Sequence, residues 1–391
     1  MAEPSSSPAP DCGDPPLAFG GFAGRRAGGG VPGLFSGRAA HWSYNTRVAI
    51  RAGCDLLGLR PGDEVLAPAY NCGSEIDPLV DAGLAVRLYP TPISAHVDPE
   101  AIAALIGPKT RAVYVIHYFG VLQPHLAAIR ALCDEHGLRL IEDCALSLLS
   151  GQQPAEGRTG DISVFCFYKF FPVIGGGALV LNASGLGEAD PFPRPAPAKT
   201  VAKSALRGVL PRLPFGRAVL NARARRAGAA APEKAAGAGP ETGPETGLED
   251  MPGHYYFDPD LRGRRIAGLT ARALAGFDIP GAIAARKANW RAYRERLDGV
   301  AGVTPLYSDL PEGACPLSLP LLIRNRDAAA QALQRQGIPA TPWWAGYNRN
   351  VEWDNMGDAA ALKDGVLSLP LHQYLGADHI AHICATLRPL L

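Results

Sequence analysis

Apolar and polar positions change rhythm several times along this chain. Residues 46–57, TRVAIRAGCDLL, space their apolar side chains three and four apart, the period of an amphipathic helix. PGDEVLAPAY then reads as a turn and a strand, and AVRLYP as a second strand. VDPEAIAALI predicts a short helix with Asp98 as its cap. TRAVYVIHYFG is apolar with almost no alternation, as expected of a strand in a sheet covered on both faces. PHLAAIRALCDEHG predicts a helix opened by proline and closed by glycine. LRLIEDCA, ISVFCFY and GALVLN add three strands. Strands alternating with helices predict an α/β fold, with a mostly parallel sheet covered by helices on both faces.

The rhythm stops at Asn182. Residues 183–253 are dominated by Ala, Gly, Pro and Arg and include the tandem GPETGPETG, so they read as a low-complexity, mobile insertion. A short helical piece is expected around VAKSALRGVLPRL. Periodic structure resumes with two helices, RRIAGLTARALAGFD and IPGAIAARKANWRAYRERL. CPLSLPLLI (strand), RDAAAQALQRQG (helix), IPATPWW (strand) and a last helix after LSLPLHQYLG predict a smaller C-terminal α+β domain. The expected division is a flexible arm over 1–40, a large domain over 41–265 that carries the insertion, and a small domain over 266–391.

Composition narrows the function classes. The chain has 391 residues, enough for about two domains. Its 38 basic and 37 acidic residues balance, which gives no electrostatic argument for nucleic acid or an anionic membrane as partner. The eight cysteines lack CxxC spacing and several lie in apolar runs, so reduced thiols and no metal centre are expected. The first residues, MAEPSSSPAPDCGDPP, lack the basic start and apolar core of a secretion signal, and no stretch has the apolar length of a membrane helix. The expectation is a cytoplasmic protein.

Candidate chemistry collects at strand ends, where ligands bind in open α/β sheets. Asp143 ends LRLIEDCA and Lys169 ends ISVFCFY. His117 ends AVYVIHY, and Tyr70 and Cys72 lie where DEVLAPAY ends. The chain has 7 lysines against 31 arginines, and this one stands between apolar strands, followed by the glycines Gly175 to Gly177. A lysine and a carboxylate held apart on a sheet edge suit pyridoxal 5'-phosphate. The amine bonds covalently to the cofactor aldehyde, and the carboxylate keeps the pyridine nitrogen protonated. The cofactor's phosphate needs a helix N-terminus. NTRVAIRAG supplies one, with Asn45 as cap and Thr46 and Arg47 opening the helix.

LGLRPGDEVLAPAYNCGSEIDPLVDAG, HYFG, HGLRLIEDCA, GDISVFCFYK, GGGALVLN and LSLPLHQYL stand in the order of the DegT/StrS-type sugar aminotransferases. From residue 40 to the end, with 183–253 excepted, the chain resembles this family of pyridoxal-phosphate enzymes of fold type I, which share the aspartate aminotransferase fold. The resemblance implies that Lys169 carries the cofactor and Asp143 contacts its ring nitrogen. It implies that the Thr46 and Arg47 backbone amides bind the phosphate. Cys166 stands where many relatives have a phosphate-binding serine. The ring-stacking aromatic falls at Cys72, with Tyr70 beside it. Relatives have Gln or His where this chain has Leu146, and in the commonest pattern the lysine falls where Phe171 stands. Family active sites lie at a dimer interface, so a homodimer is expected.

The leading expectation is an aminotransferase that moves an amino group from an amino acid donor such as glutamate to a keto group of a sugar-like acceptor. One alternative is a dehydratase or lyase on the same cofactor. Relatives that dehydrate sugars replace the lysine by histidine, and no histidine lies near Lys169. The other is a catalytically impaired relative kept as a binding or scaffold subunit. ATPWWAGYNRN, with Trp343, Trp344, Tyr347, Asn348 and Arg349, is the expected substrate wall.

Overall fold

The computed structural model describes residues 10–13, 15, 17–18, 29–187, 189–209, 249–353 and 356–391. Much of the expected arm, and 210–248 of the expected insertion, lie outside the described residues. Within the remainder, the expected helical piece forms as the helix Ala198–Val209.

The larger sheet has seven strands: β1 (Ala39–Ser43), β2 (Glu64–Pro68), β3 (Ala85–Tyr89), β4 (Thr110–Ile116), β5 (Arg139–Asp143), β6 (Ile162–Cys166) and β7 (Gly177–Leu181). Their order is β1-β7-β6-β5-β4-β2-β3. β2 to β6 are parallel, while β7 and β1 continue the sheet antiparallel. The mostly parallel sheet is therefore as expected.

Its strands read as unbroken apolar runs because both faces are covered. Val65, Ala112, Tyr114 and Ile141 pack on one side with Val48, Ile50 and Cys54 of the helix Thr46–Leu56. Their chain neighbours Leu66, Val113, Val115 and Leu140 pack on the other with Ile102, Ile129 and Cys133. Successive strand residues point to opposite faces, so only a two-sided core needs apolar residues at every position.

A second sheet is antiparallel, in the order β10 (Thr341–Pro342), β11 (Val366–Pro370), β9 (Ser318–Ile323) and β8 (Val303–Pro305). The helices Ile279–Leu297 and Ala377–Leu387 share one apolar cluster with it. The sequence reading missed β1, β8 and β11. IPATPWW shrinks to the two residues of β10, since prolines at 339 and 342 have no N–H to give a ladder.

Candidate functional site

β2 is flanked by β3 on one side and β4 on the other, so the strand order reverses there, and connections at such a point leave a crevice beyond the strand ends. A cleft of about 1110 Å³ lies there. The β2 side contributes Cys72, Ser74 and Glu75; β4 gives Ile116; β5 and its exit give Asp143, Ala145 and Leu146; and β6 and its exit give Cys166, Tyr168 and Lys169. The opposite wall comes from 249–255 and from Thr341 to Gly346 with Arg349.

Asp143 is buried. Its Oδ1 accepts from the Ala145 N–H at 2.7 Å and its Oδ2 from the Tyr114 hydroxyl at 2.5 Å. Burial pushes the carboxyl above its ordinary range, against the pull of these bonds and of the Lys169 charge. Four lone-pair sites with two donors leave acceptor capacity toward the cleft.

Lys169 follows β6 in a tight turn, where Phe170 and Phe171 N–H both donate to Phe167 O, at 3.1 and 2.9 Å. Gly176, at φ 91°, turns the chain back so that its carbonyl takes the Phe167 N–H. The half-buried Lys169 amine has no hydrogen-bond or ion-pair partner among the described residues. A structural lysine on the cleft wall would be expected to show one.

The helix Thr46–Leu56 points its N-terminus into the same cleft. Asn45 caps it as expected, its Oδ1 taking the Val48 N–H at 3.0 Å. A Cβ at Gly177 would lie 2.9 Å from Thr46 N, so only glycine lets β7 pass this close to the helix end. The Thr46 hydroxyl donates to Phe165 O at 3.0 Å. Arg47 Nη1 donates to the carbonyls of His254, Tyr255 and Tyr256 at 3.1, 2.6 and 2.9 Å, tying a short helical turn, Gly253–Tyr255, to the cleft rim. Burial raises the Cys166 thiol above its ordinary value.

Two expected site residues do not line the cleft. His117 is wholly buried; its Nδ1 takes the Gln123 N–H at 3.0 Å and its Nε2 donates to Glu142 Oε1 at 2.9 Å. Glu142 also accepts from Thr159 and Gly160 N–H, at 2.9 and 2.8 Å. Burial works against its charge, yet these bonds hold it below the ordinary carboxylate range. Cys144 lies close enough to complete a three-ligand cluster, but both ring nitrogens and both carboxylate oxygens are already engaged. Tyr70 is wholly buried, stacked on Tyr118 at 5.5 Å and tilted on Trp344 at 5.1 Å. Cys72 does line the cleft, so no aromatic ring occupies that position.

The sequence reading passed over Glu75. Its Oε1 accepts from Cys72 N–H at 2.7 Å, and burial, then the Asp143 charge, raise its carboxyl above the ordinary range. A carboxylate three residues beyond Cys72 on the same strand exit was the available signal. Of the expected substrate wall, Trp343, Trp344 and Arg349 line the cleft. Tyr347 packs on Trp353 at 4.8 Å, and Asn348 is buried, donating to Gly73 O and Asp77 Oδ1, both at 3.1 Å.

Parallel strands with a lysine-bearing loop and a helix N-terminus at their exits make the frame of the cleft. The fold matches that of the aminotransferase TlmJ from Streptoalloteichus hindustanus with a TM-score of 0.62 over 90% of this chain and 85% of that one, at 20% identity. Residues 43–189 match the model of the DegT/DnrJ/EryC1/StrS aminotransferase family. Curated relatives include GDP-perosamine synthase of Vibrio cholerae, 33% identical over 147 residues, 36% of this chain and 39% of the relative. UDP-N-acetyl-3-dehydro-alpha-D-glucosamine 3-aminotransferase of Acidithiobacillus ferrooxidans is 33% identical over 148 residues, 35% of this chain and 37% of the relative. The match thus spans under two fifths of the length of either relative. No helix of the described residues is long and apolar enough to cross a membrane.

Proposed function

We propose that this chain is a pyridoxal-phosphate-dependent aminotransferase that moves an amino group from an amino acid, glutamate by expectation, to a keto group of a sugar-like metabolite. It acts as a homodimer in the cytoplasm. The observation that carries the reading is the unpartnered Lys169 amine in one cleft with the buried Asp143 carboxyl and the N-terminus of the Thr46–Leu56 helix. These residues fit the cofactor. A buried carboxyl with spare acceptor sites suits a protonated ring nitrogen, and helix amides suit a phosphate.

The bound cofactor supplies an electron sink that acidifies the substrate carbon bearing the amino group. This chain supplies the remainder. Thr46 and Arg47 N–H groups seat the phosphate. Asp143 holds the proton on the ring nitrogen. With the cofactor bound, Lys169 Nζ would act as the general base for the proton on the substrate carbon that bears the amino group, and as the general acid that returns it in the 1,3-shift. The Trp343–Trp344 wall offers an apolar face to the ring of a sugar-like acceptor.

Borohydride fixes a lysine–cofactor link as a stable secondary amine, which peptide mass mapping locates. The expected outcome is modification at Lys169. Lys363, wholly buried and hydrogen-bonded to three carbonyls, stays unmodified. Cofactor-saturated protein with no modified peptide, or with one at Lys109, Lys287 or Lys363, would refute the proposal. Lys169→Ala abolishes cofactor attachment and amino transfer and leaves the fold intact, because a half-buried turn residue leaves no large core cavity.

A further inference from the structure

Trp344 stands at φ 58°. A bulky L-residue adopts this left-handed conformation only where its surroundings force it. The surroundings here centre on Lys363, which is wholly buried at the end of the helix Gly357–Gly365. Its Nζ donates to Gly346 O at 2.7 Å, Asn71 O at 2.8 Å and Trp344 O at 3.2 Å. An ammonium has three donors and no acceptor, so three carbonyls satisfy it completely. The Tyr347 ring lies 4.5 Å from Nζ and the Trp353 ring 5.8 Å. No carboxylate forms an ion pair with it among the described residues.

The carbonyls belong to two opposite walls of the cleft. Asn71 precedes Cys72 on the β2 exit, and Trp344 and Gly346 line the facing wall. The Trp344 indole leans on Tyr70 at 5.1 Å and on Tyr118 at 5.8 Å, rings rooted in the larger sheet's strand exits. We infer that Lys363 is a positioning residue, whose ammonium clamps the Trp344–Gly346 turn to the β2 exit and so holds the indole in place as the acceptor-side wall of the cleft. Only the word acceptor rests on the function proposed above.

A lysine retained for stability alone would leave the Trp344 environment unchanged while the fold persists. A clamp makes that environment depend on the third proton. The neutral amine keeps two donors and turns a lone pair toward a carbonyl oxygen, which releases one tie. Burial lowers the amine to about 8. Among the groups facing it, Cys72, Glu75 and Asp364 favour the charged form and Arg326 opposes it. The Tyr347 hydroxyl is pushed up to about 12 and the Cys72 thiol above its ordinary value, so Lys363 loses its proton before either.

The test follows fluorescence of the full chain against pH, taking wild-type emission minus that of Trp344→Phe. The expected difference spectrum shifts to the red with a single midpoint near pH 8. In Lys363→Met it has the high-pH form throughout and does not titrate. A wild-type difference that is flat across the same range, or a midpoint that survives in Lys363→Met, overturns the inference. If Lys363→Met fails to fold, the wild-type titration decides by itself. If borohydride labels no lysine, the proposed function fails, while the fluorescence outcome still judges the clamp.

Discussion

Asp143 and His117 show how far single residues could be read. Both end strands, and β4 and β5 pair in register with Ile116 beside Asp143. Those two share a face and reach the cleft; His117 and Glu142, one residue off in parity, share the other and bond to each other beneath it. A strand-end position is legible in sequence, but the face it presents depends on register, which single runs of apolar residues with no alternation do not encode. The place of Lys169 on the cleft wall was legible for the opposite reason: a lone amine between apolar strands, followed by glycines, has few structural uses. The Asp143 role yields a sharp expectation. Asp143→Asn retains an acceptor for the Ala145 N–H and keeps the cofactor bound, but an amide stabilises a pyridinium poorly. A hydrogen bond to a charged group contributes about 1.5–3 kcal/mol, so turnover falls roughly ten- to a hundredfold or more. Bound-cofactor absorbance and single-turnover rates measure the two parts separately. Wild-type turnover in the Asn variant would remove Asp143 from the mechanism.

Elements were legible where length and period agreed. The helix at 46–57 was found within one residue of Thr46–Leu56, and β4, β5, β6 and β7 fell where expected. β11 was missed because VLSLP is short and ends in proline, a pattern shared by many loops; its pairing with β9 and β10 is set by distant segments. What joins the strands of the larger sheet at its lower edge was also invisible. Asp161, one residue before β6, accepts from Leu140 N–H at 2.7 Å, Arg130 at 2.9 Å and Arg139 at 3.2 Å. Burial alone would raise its carboxyl, but these donors pull it below the ordinary range. A depressed carboxyl contributes stability that is present above its unfolded pKa and lost as pH falls through its lower folded value. Asp161→Asn is therefore expected to cost about 1–3 kcal/mol at neutral pH. The gap to wild type narrows below about pH 4, where the unfolded carboxyl takes up its proton. Urea unfolding at both pH values reads it directly, and equal stability at neutral pH would show that the three donors find other partners.

At the scale of the molecule, the proposed seat for the phosphate is too weakly charged to be complete in one chain. The Thr46 hydroxyl is committed to Phe165 O, and Arg47 Nη1 to three carbonyls at the rim. Cys166 contributes a raised thiol, a weak donor. What remains at the helix end is backbone N–H, and a helix terminus favours an anion by about 0.3–1 kcal/mol, up to roughly 2 kcal/mol when partly buried. A phosphate carrying up to two charges, in a cleft that already holds Asp143 and Glu75, calls for a further cation or side-chain donor at the helix end, since Lys169 is assigned to the cofactor aldehyde and Arg349 lies on the opposite wall beside Asp250. A second copy of the chain is its natural source, and two copies related by a twofold axis would complete each other's clefts equally. The expectation is that light scattering gives twice the chain mass for cofactor-bound protein. Dilution to the monomer should lower cofactor occupancy and turnover together, since the missing donor leaves with the partner. A monomer that holds the cofactor and turns over at the full rate would mean the backbone amides suffice, and the charge argument would be wrong.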